Sequence, residues 1–142
     1  MTCFWDGLLK SLQDSDFSDF TKKKPKNNLE LITFLQKHNV KANNVLWNNE
    51  KLSEKTPKII EEHYQAVKEF DKNKISQGYL CSCCDFFLLL ICQLFKCNII
   101  HKYNNHTINY TYDKDNNDKK IKNNKDLYFE NNKGHFWFVK RI

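Results

Sequence analysis

The sequence predicts an α+β domain, with helices packed on a small antiparallel β-sheet. Two observations predict this class. From residue 3 to about residue 95, apolar residues recur mainly at the three- and four-residue spacing of helices. From residue 98 onward, short segments rich in Ile, Thr, Tyr and Phe alternate with turn residues, as in hairpins. Helices followed by paired strands are typical of the α+β class.

Size and composition fit one folded domain that spans residues 1–142. Hydrophobic residues make up 40% of the chain and aromatic residues 14%, which is enough to build a buried core. Only 3 Gly and 2 Pro occur, and this low number argues against disorder and against a scaffold made mostly of loops.

The first helices follow from the spacing of apolar residues. In the segment 3–12, Phe4, Leu8 and Leu12 repeat at intervals of four, which predicts a short amphipathic helix that Gly7 weakens a little. After a polar stretch, Asn28 is suited to cap a second helix over 29–38.

The middle of the chain contains an irregular segment and a third helix. Residues 39–55 have no sustained period and are predicted to form a loop anchored by Leu46 and Trp47. Thr56 followed by Pro57 indicates a helix start, because Thr can cap free amides and Pro fits the first turn. This helix is expected to continue to about Phe70.

The last helix and the strands follow in order. Residues 82–95 are apolar on nearly every side, which predicts a helix at the centre of the core. Segments 98–103 and 106–112 are predicted to pair as a hairpin across Asn-Asn, and 127–129 is predicted to pair with 135–140. The polar segment 113–126 between the two hairpins is expected to be a mobile insertion.

The formal net charge of +6 comes almost entirely from lysine. Of the 23 basic residues 22 are Lys, and Arg141 is the remaining one. Arg is the residue that reads bases and clamps phosphates, so this charge gives little support to nucleic-acid recognition. The 18 Asn and 2 Ala fit an A- and T-rich or viral genome, and the charge is interpreted as codon bias.

A nucleic-acid module remains an alternative that the lysine runs at 22–26 and 119–125 suggest. Both runs fall in predicted loops, and no aromatic residue is interleaved with them to stack on bases. Nucleic-acid binding is therefore not expected.

The sequence indicates a cytoplasmic protein, in the host cytoplasm if the chain is viral. The opening MTCFWDG lacks the order of a signal peptide. The longest apolar stretch, 86–95, has about half the length of a bilayer span, so no membrane partner is expected. In a reducing compartment the 6 cysteines are expected to be free thiols.

Cys3 and His135 form a candidate catalytic pair. Cys3 begins the first predicted helix, where free amides and the helix dipole favour a thiolate. His135 follows Gly134 at the start of the last strand, where its side chain can project toward another element. A nucleophilic cysteine needs a base of this kind, and the two residues need to meet only in space.

Three segments resemble landmarks of the ovarian-tumour (OTU) family of papain-like cysteine peptidases. CFWDGLLKSL at 3–12 resembles the helix that carries the nucleophile. GYLCSCCDFFLLLICQLFKCNIIHKY at 78–103 is similar to an apolar helix and strand led by a Gly and an acidic residue, here Asp85. GHFW at 134–137 is similar to the strand that supplies the base.

The resemblance implies a papain-like fold and a thiol-dependent hydrolase that acts as a deubiquitinase. Cys3 would be the nucleophile and His135 the base, with no metal and no cofactor. The implied partner of this monomer is ubiquitin or a ubiquitin-like protein, whose Gly-Gly tail would pass through a narrow slot. Trp5, Trp137 and Gly134 are the expected substrate-binding residues of that slot.

Two departures from the family pattern define an alternative. Trp137 stands where many members carry the Asn or Asp that orients the histidine ring. The sequence begins only two residues before Cys3, so it does not include the position three places before it, where other members carry an Asp. Without an orienting partner the tautomer of His135 is less well fixed, so a catalytically lapsed binding domain is the alternative.

A zinc-binding module is the second alternative. Cys81, Cys84, Cys97 and His101 have the spacing of a mononuclear zinc finger. Against it, the segment from Cys97 to His101 is β-branched and predicts a strand, whereas a finger places its second pair on a helix. The residues between the two pairs are also far more apolar than a small finger can bury.

Overall fold

The computed structural model describes residues 2–20, 23–113 and 125–142. Five α-helices and six strands occur in the described residues, with short 3₁₀ turns at Asp14–Phe17 and Lys72–Gln77. The helices are α1 Cys3–Ser11, α2 Asn28–Lys37, α3 Leu52–Lys55, α4 Pro57–Glu69 and α5 Phe86–Phe95. The strands are β1 Val45–Trp47, β2 Glu50–Lys51, β3 Asn98–Tyr103, β4 His106–Tyr112, β5 Asp126–Asn132 and β6 His135–Arg141.

The predicted α+β class is confirmed at this coarse level, but the antiparallel sheet is corrected. The six strands form one sheet in the order β2-β1-β4-β3-β5-β6, and β3 pairs with β5 in parallel. The other neighbours are antiparallel, so the sheet is mixed. The parallel pair arises because β5 returns to the free edge of β3 instead of extending the sheet beyond β4.

Three tight turns connect three of the four antiparallel pairs, β1 with β2, β3 with β4 and β5 with β6. Each has two central residues with positive φ: Asn48 and Asn49, Asn104 and Asn105, and Lys133 and Gly134. Two-residue hairpins of type I′ require positive φ at both central positions, which Asn and Gly tolerate best. Both predicted hairpins are therefore confirmed.

The predicted loop over 39–55 is wrong in part. It contains β1, β2 and the single-turn helix α3, which are too short for their periodicity to stand out. The predicted insertion at 113–126 lies mostly outside the described residues, since 114–124 are not among them. In the described residues no helix combines the length and apolar character needed to cross a membrane.

Helix α5 forms the centre of the core, as its composition predicts. Its fully buried side chains include Phe87, Leu88 and Leu89, and they pack between the helices and the sheet. The helix begins four residues later than predicted, because the Asp85 carboxylate accepts from the Phe87 and Leu88 amides and fixes the N-terminus there.

Helix α1 packs directly on the last strand, and a glycine permits the close approach. A Cβ atom at Gly7 would lie 3.1 Å from the Phe136 ring, which is closer than nearly all such contacts. The rings of Phe4 and Phe136 also touch, with centroids 4.8 Å apart. Helix α1 and strand β6, which are far apart in the sequence, therefore pack directly against each other.

A buried ion pair holds the end of β6 next to the end of α1. Arg141 donates from both terminal nitrogens to the two Asp16 carboxylate oxygens, at 2.7 and 2.8 Å. The Asp16 side chain is 2% exposed and the Arg141 side chain 11%. Arg141 also donates to the carbonyl oxygen of Ser11, the last residue of α1.

Candidate active site

The Cys3 thiol lies against the turn that precedes His135. Cys3 is the first residue of α1 and is half-buried. Its Sγ donates to the Gly134 carbonyl oxygen at 3.8 Å, across 131 positions of sequence. The close packing of Gly7 on Phe136 holds the helix at this distance from β6. The fold therefore brings the helix start and the turn together, as the pairing of Cys3 with His135 requires.

His135 is exposed at the start of β6, and its side chain begins on the far side of the strand from α1. Phe136 contacts α1, and side chains alternate along a strand, so His135 and Trp137 belong to the opposite face. Among the described contacts, the Cys3 thiol has a hydrogen bond to a carbonyl oxygen and not to the imidazole. Apart from its two chain neighbours, no atom lies within 4 Å of a Cβ placed at Gly134, so the rest of the protein does not crowd this turn.

A cleft of about 460 Å³ adjoins this turn. One wall is the segment 79–81, and the other is formed by the tips of the β3–β4 and β5–β6 hairpins, including Gly134 and His135. Asn104, Asn105, Asn131 and Asn132 supply most of the polar lining. A volume of this size is typical of ligand sites in proteins.

The wall at 79–81 is held in place by Asp85, which is fully buried. Its carboxylate accepts from the Tyr79 hydroxyl at 2.7 Å and from the Ser82 amide at 3.1 Å. Burial raises the pKa of Asp85, although these hydrogen bonds act in the opposite direction. Burial, followed by the nearby Asp85 charge, raises the pKa of Tyr79 above its usual range. Asp85 thus acts as a helix cap and an anchor for the cleft wall.

The two tryptophans that the resemblance assigns to a substrate slot lie in different environments. Trp5 is fully buried against the rings of Phe87, Tyr79 and Phe70, so it has no surface to offer a substrate. The expectation that Trp5 lines a slot is therefore corrected to a core role. Trp137 is 42% exposed on the open face of the sheet, which leaves its indole accessible.

The four residues of the zinc-finger spacing are not brought together. Cys81 and Cys84 precede α5, whereas Cys97 follows it and donates to the Ile91 carbonyl oxygen. His101 is buried in β3 and contacts Asn131. Burial raises the pKa of the Cys84 thiol to about 12 and that of Cys81 further. In the part of the chain that the structure describes, no three His, Cys, Asp or Glu side chains are placed to hold a metal ion.

Comparison with known proteins adds no family assignment. No family model, curated protein or solved structure matches this chain. The case for a function therefore depends on the residues and their geometry.

Sequence reasoning missed a histidine that supports the β5–β6 hairpin. His101 is fully buried, and its Nε2 lies 2.6 Å from the Asn131 side-chain oxygen. Its ring packs at 5.6 Å from the rings of Tyr103 and Phe136. Burial lowers the pKa of His101 to about 4. Alternation along β3 could have indicated an inward-facing His101, but no local signal named Asn131 as its partner.

Proposed function

We propose that this chain is a thiol-dependent hydrolase in which Cys3 is the nucleophile and His135 the base. One observation carries the proposal: the Cys3 thiol, at the start of α1, contacts the Gly134 carbonyl oxygen immediately before His135. This contact joins positions 131 residues apart, so it is produced by the tertiary fold and not by the local sequence.

The chemistry follows from these two groups. His135 takes the proton of the Cys3 thiol, and the thiolate attacks a carbonyl carbon of the substrate. Backbone amides in the first turn of α1 are the donors available to the resulting oxyanion. The protonated His135 then gives its proton to the departing amine, which leaves a thioester on Cys3. Water hydrolyses this thioester with His135 as base and restores the free thiol.

The order of the elements supports an OTU-like, papain-like identity for the single domain. The helix that begins at Cys3, the apolar helix capped by Asp85 and the strand that begins at His135 occur in the order that the resemblance implies. We accordingly propose ubiquitin or a ubiquitin-like protein as substrate, with its extended tail in the cleft beside Gly134. Of the two tryptophans expected to line the substrate slot, only Trp137 has an accessible side chain.

A second candidate is a binding domain that has lost activity. It is favoured by the direction of β6, which starts the His135 side chain on the face away from α1. It is also favoured by Trp137, which occupies the position where an orienting Asn or Asp is expected. Such a domain would retain the cleft and bind the ubiquitin tail without cleaving it.

The test is a ubiquitin probe with a thiol-reactive carboxyl terminus, incubated with the reduced full chain. The proposal expects a covalent adduct that Cys3→Ala abolishes and His135→Gln slows strongly. Cys83→Ala is the matched control, because Cys83 is an exposed thiol of the neighbouring segment. Circular dichroism establishes that each variant is folded.

Absence of an adduct with folded, reduced protein would contradict the hydrolase proposal. A titration of the same chain with unmodified ubiquitin, followed by NMR, then distinguishes the second candidate. Chemical-shift changes confined to the cleft residues would support a binding domain. No changes would contradict ubiquitin as the partner.

A further inference from the structure

The β5–β6 hairpin places an asparagine directly opposite His135. Asn132 and His135 are register partners and close the two-residue turn formed by Lys133 and Gly134. Directly paired residues project from the same face of a sheet, with Cβ atoms about 4.5–5.5 Å apart. An amide side chain and an imidazole at this separation are within reach of one hydrogen bond.

Both side chains are available for this contact. They are exposed, and both border the cleft. In the described part of the chain neither side chain has a hydrogen bond to another residue. Because neither group has another side-chain partner, a rotation about their side-chain torsions is enough to join them by one hydrogen bond.

We propose that Asn132 is a positioning residue for His135, an inference that rests on the proposed hydrolase function. The Asn132 side-chain oxygen accepts a hydrogen bond from Nδ1–H of the imidazole. The other ring nitrogen, Nε2, is then the unprotonated one, and it takes the proton of the Cys3 thiol when the ring turns past the start of β6 toward α1. Asn132 thereby fixes the tautomer that a cysteine nucleophile requires, as orienting residues do in other catalytic sites.

Neighbouring side chains are less suited to this role. Trp137 shares the face of His135, but indole N–H is a donor and cannot accept from the ring. Asn131 lies on the other face of β5, where its oxygen is engaged by His101. Glu130 pairs with Trp137 and is therefore two pairs further along the ladder. Asn132 is the acceptor that the register places opposite the ring.

The experiment measures the tautomer and pKa of His135 directly, by NMR on the full chain with ¹⁵N-labelled histidine. Wild type is expected to favour the Nδ1–H tautomer, and Asn132→Ala to shift His135 to the Nε2–H tautomer. Asn132→Asp is expected to keep the Nδ1–H tautomer and raise the pKa of His135 by about one unit, since an opposite charge stabilises the imidazolium. Asn109→Ala is the matched control, because Asn109 is another strand asparagine on the same sheet face.

Probe-labelling kinetics provide the second readout. Asn132→Ala is expected to slow labelling by at least about tenfold, with recovery in Asn132→Asp and no change in Asn109→Ala. An unchanged His135 tautomer in Asn132→Ala would overturn the inference. The inference would also be overturned if the probe labels wild type and labels Asn132→Ala at the same rate. If the tautomer shifts as expected but wild type never labels, Asn132 still positions His135 and the hydrolase proposal fails instead.

Discussion

Replacement of His101 by Gln is expected to remove a large part of the acid sensitivity of folding. His101 is fully buried beside the Phe136 ring, and burial lowers its pKa to about 4. In the unfolded chain the pKa of a histidine is about 6.5. The unfolded state therefore binds a proton more readily than the folded state, and acid favours unfolding.

The size of the effect follows from the two pKa values. They differ by about 2.5, and each unit corresponds to about 1.4 kcal/mol. The stabilising contribution is complete above pH ~6.5 and falls by roughly 2 kcal/mol at pH 5 and about 3 kcal/mol at pH 4. Gln is neutral at every pH and can still donate to the Asn131 oxygen. The unfolding free energy of the variant is therefore not reduced by protonation at this position.

The assay is urea unfolding at pH 7, 6, 5 and 4, followed by tryptophan fluorescence. The quantity compared is the difference in unfolding free energy between wild type and His101→Gln at each pH. Other groups cancel in this difference, including His63, whose pKa is also lowered by burial. The same substitution at exposed His106 is the control. Parallel curves for wild type and His101→Gln would refute the reasoning.

Two further predictions concern the layer formed by α1 and β6. Asp16→Ala is expected to cost about 3–5 kcal/mol of unfolding free energy, because the largely buried Arg141 keeps its charge but loses the carboxylate that neutralises it, whereas Asp16→Leu combined with Arg141→Met should cost much less. Guanidinium unfolding of the single and double variants tests this, and equal losses would contradict it. Gly7→Ala is expected to destabilise by about 1 kcal/mol despite better helix propensity, since the new methyl group would push the Phe136 ring against the rings of Phe4, His101 and Phe129. A rise in melting temperature would show that the ring does move.

The helices and hairpins could be predicted because their signals are local. Apolar spacing in α1 and α5 and the Asn104-Asn105 turn depend only on neighbouring residues. The parallel pairing of β3 with β5 could not be predicted, because the segment that connects β4 to β5 carries no pattern. The short strand β1 is fixed by pairing with β4, and β2 by pairing with β1, and not by their own sequence.

The candidate site was only partly predictable for the same reason. The choice of Cys3 and His135 came from a resemblance in short motifs, and their spacing alone did not select them. Helical spacing put Trp5 on an apolar face but did not say that the rings of Phe70 and Phe87 cover it. The position of Asn132 opposite His135 depends on the length of the turn, which sequence left open.

The packing of α1 on β6 has a consequence for synthesis on the ribosome. The first helix emerges with apolar side chains such as Phe4 and Leu8, but the strand that covers them is translated more than a hundred residues later. Contacts this distant in sequence form late and slow the folding of a chain. The Cys3 thiol therefore meets the Gly134 turn only after β6 has docked, so the proposed catalytic pair cannot assemble earlier in synthesis.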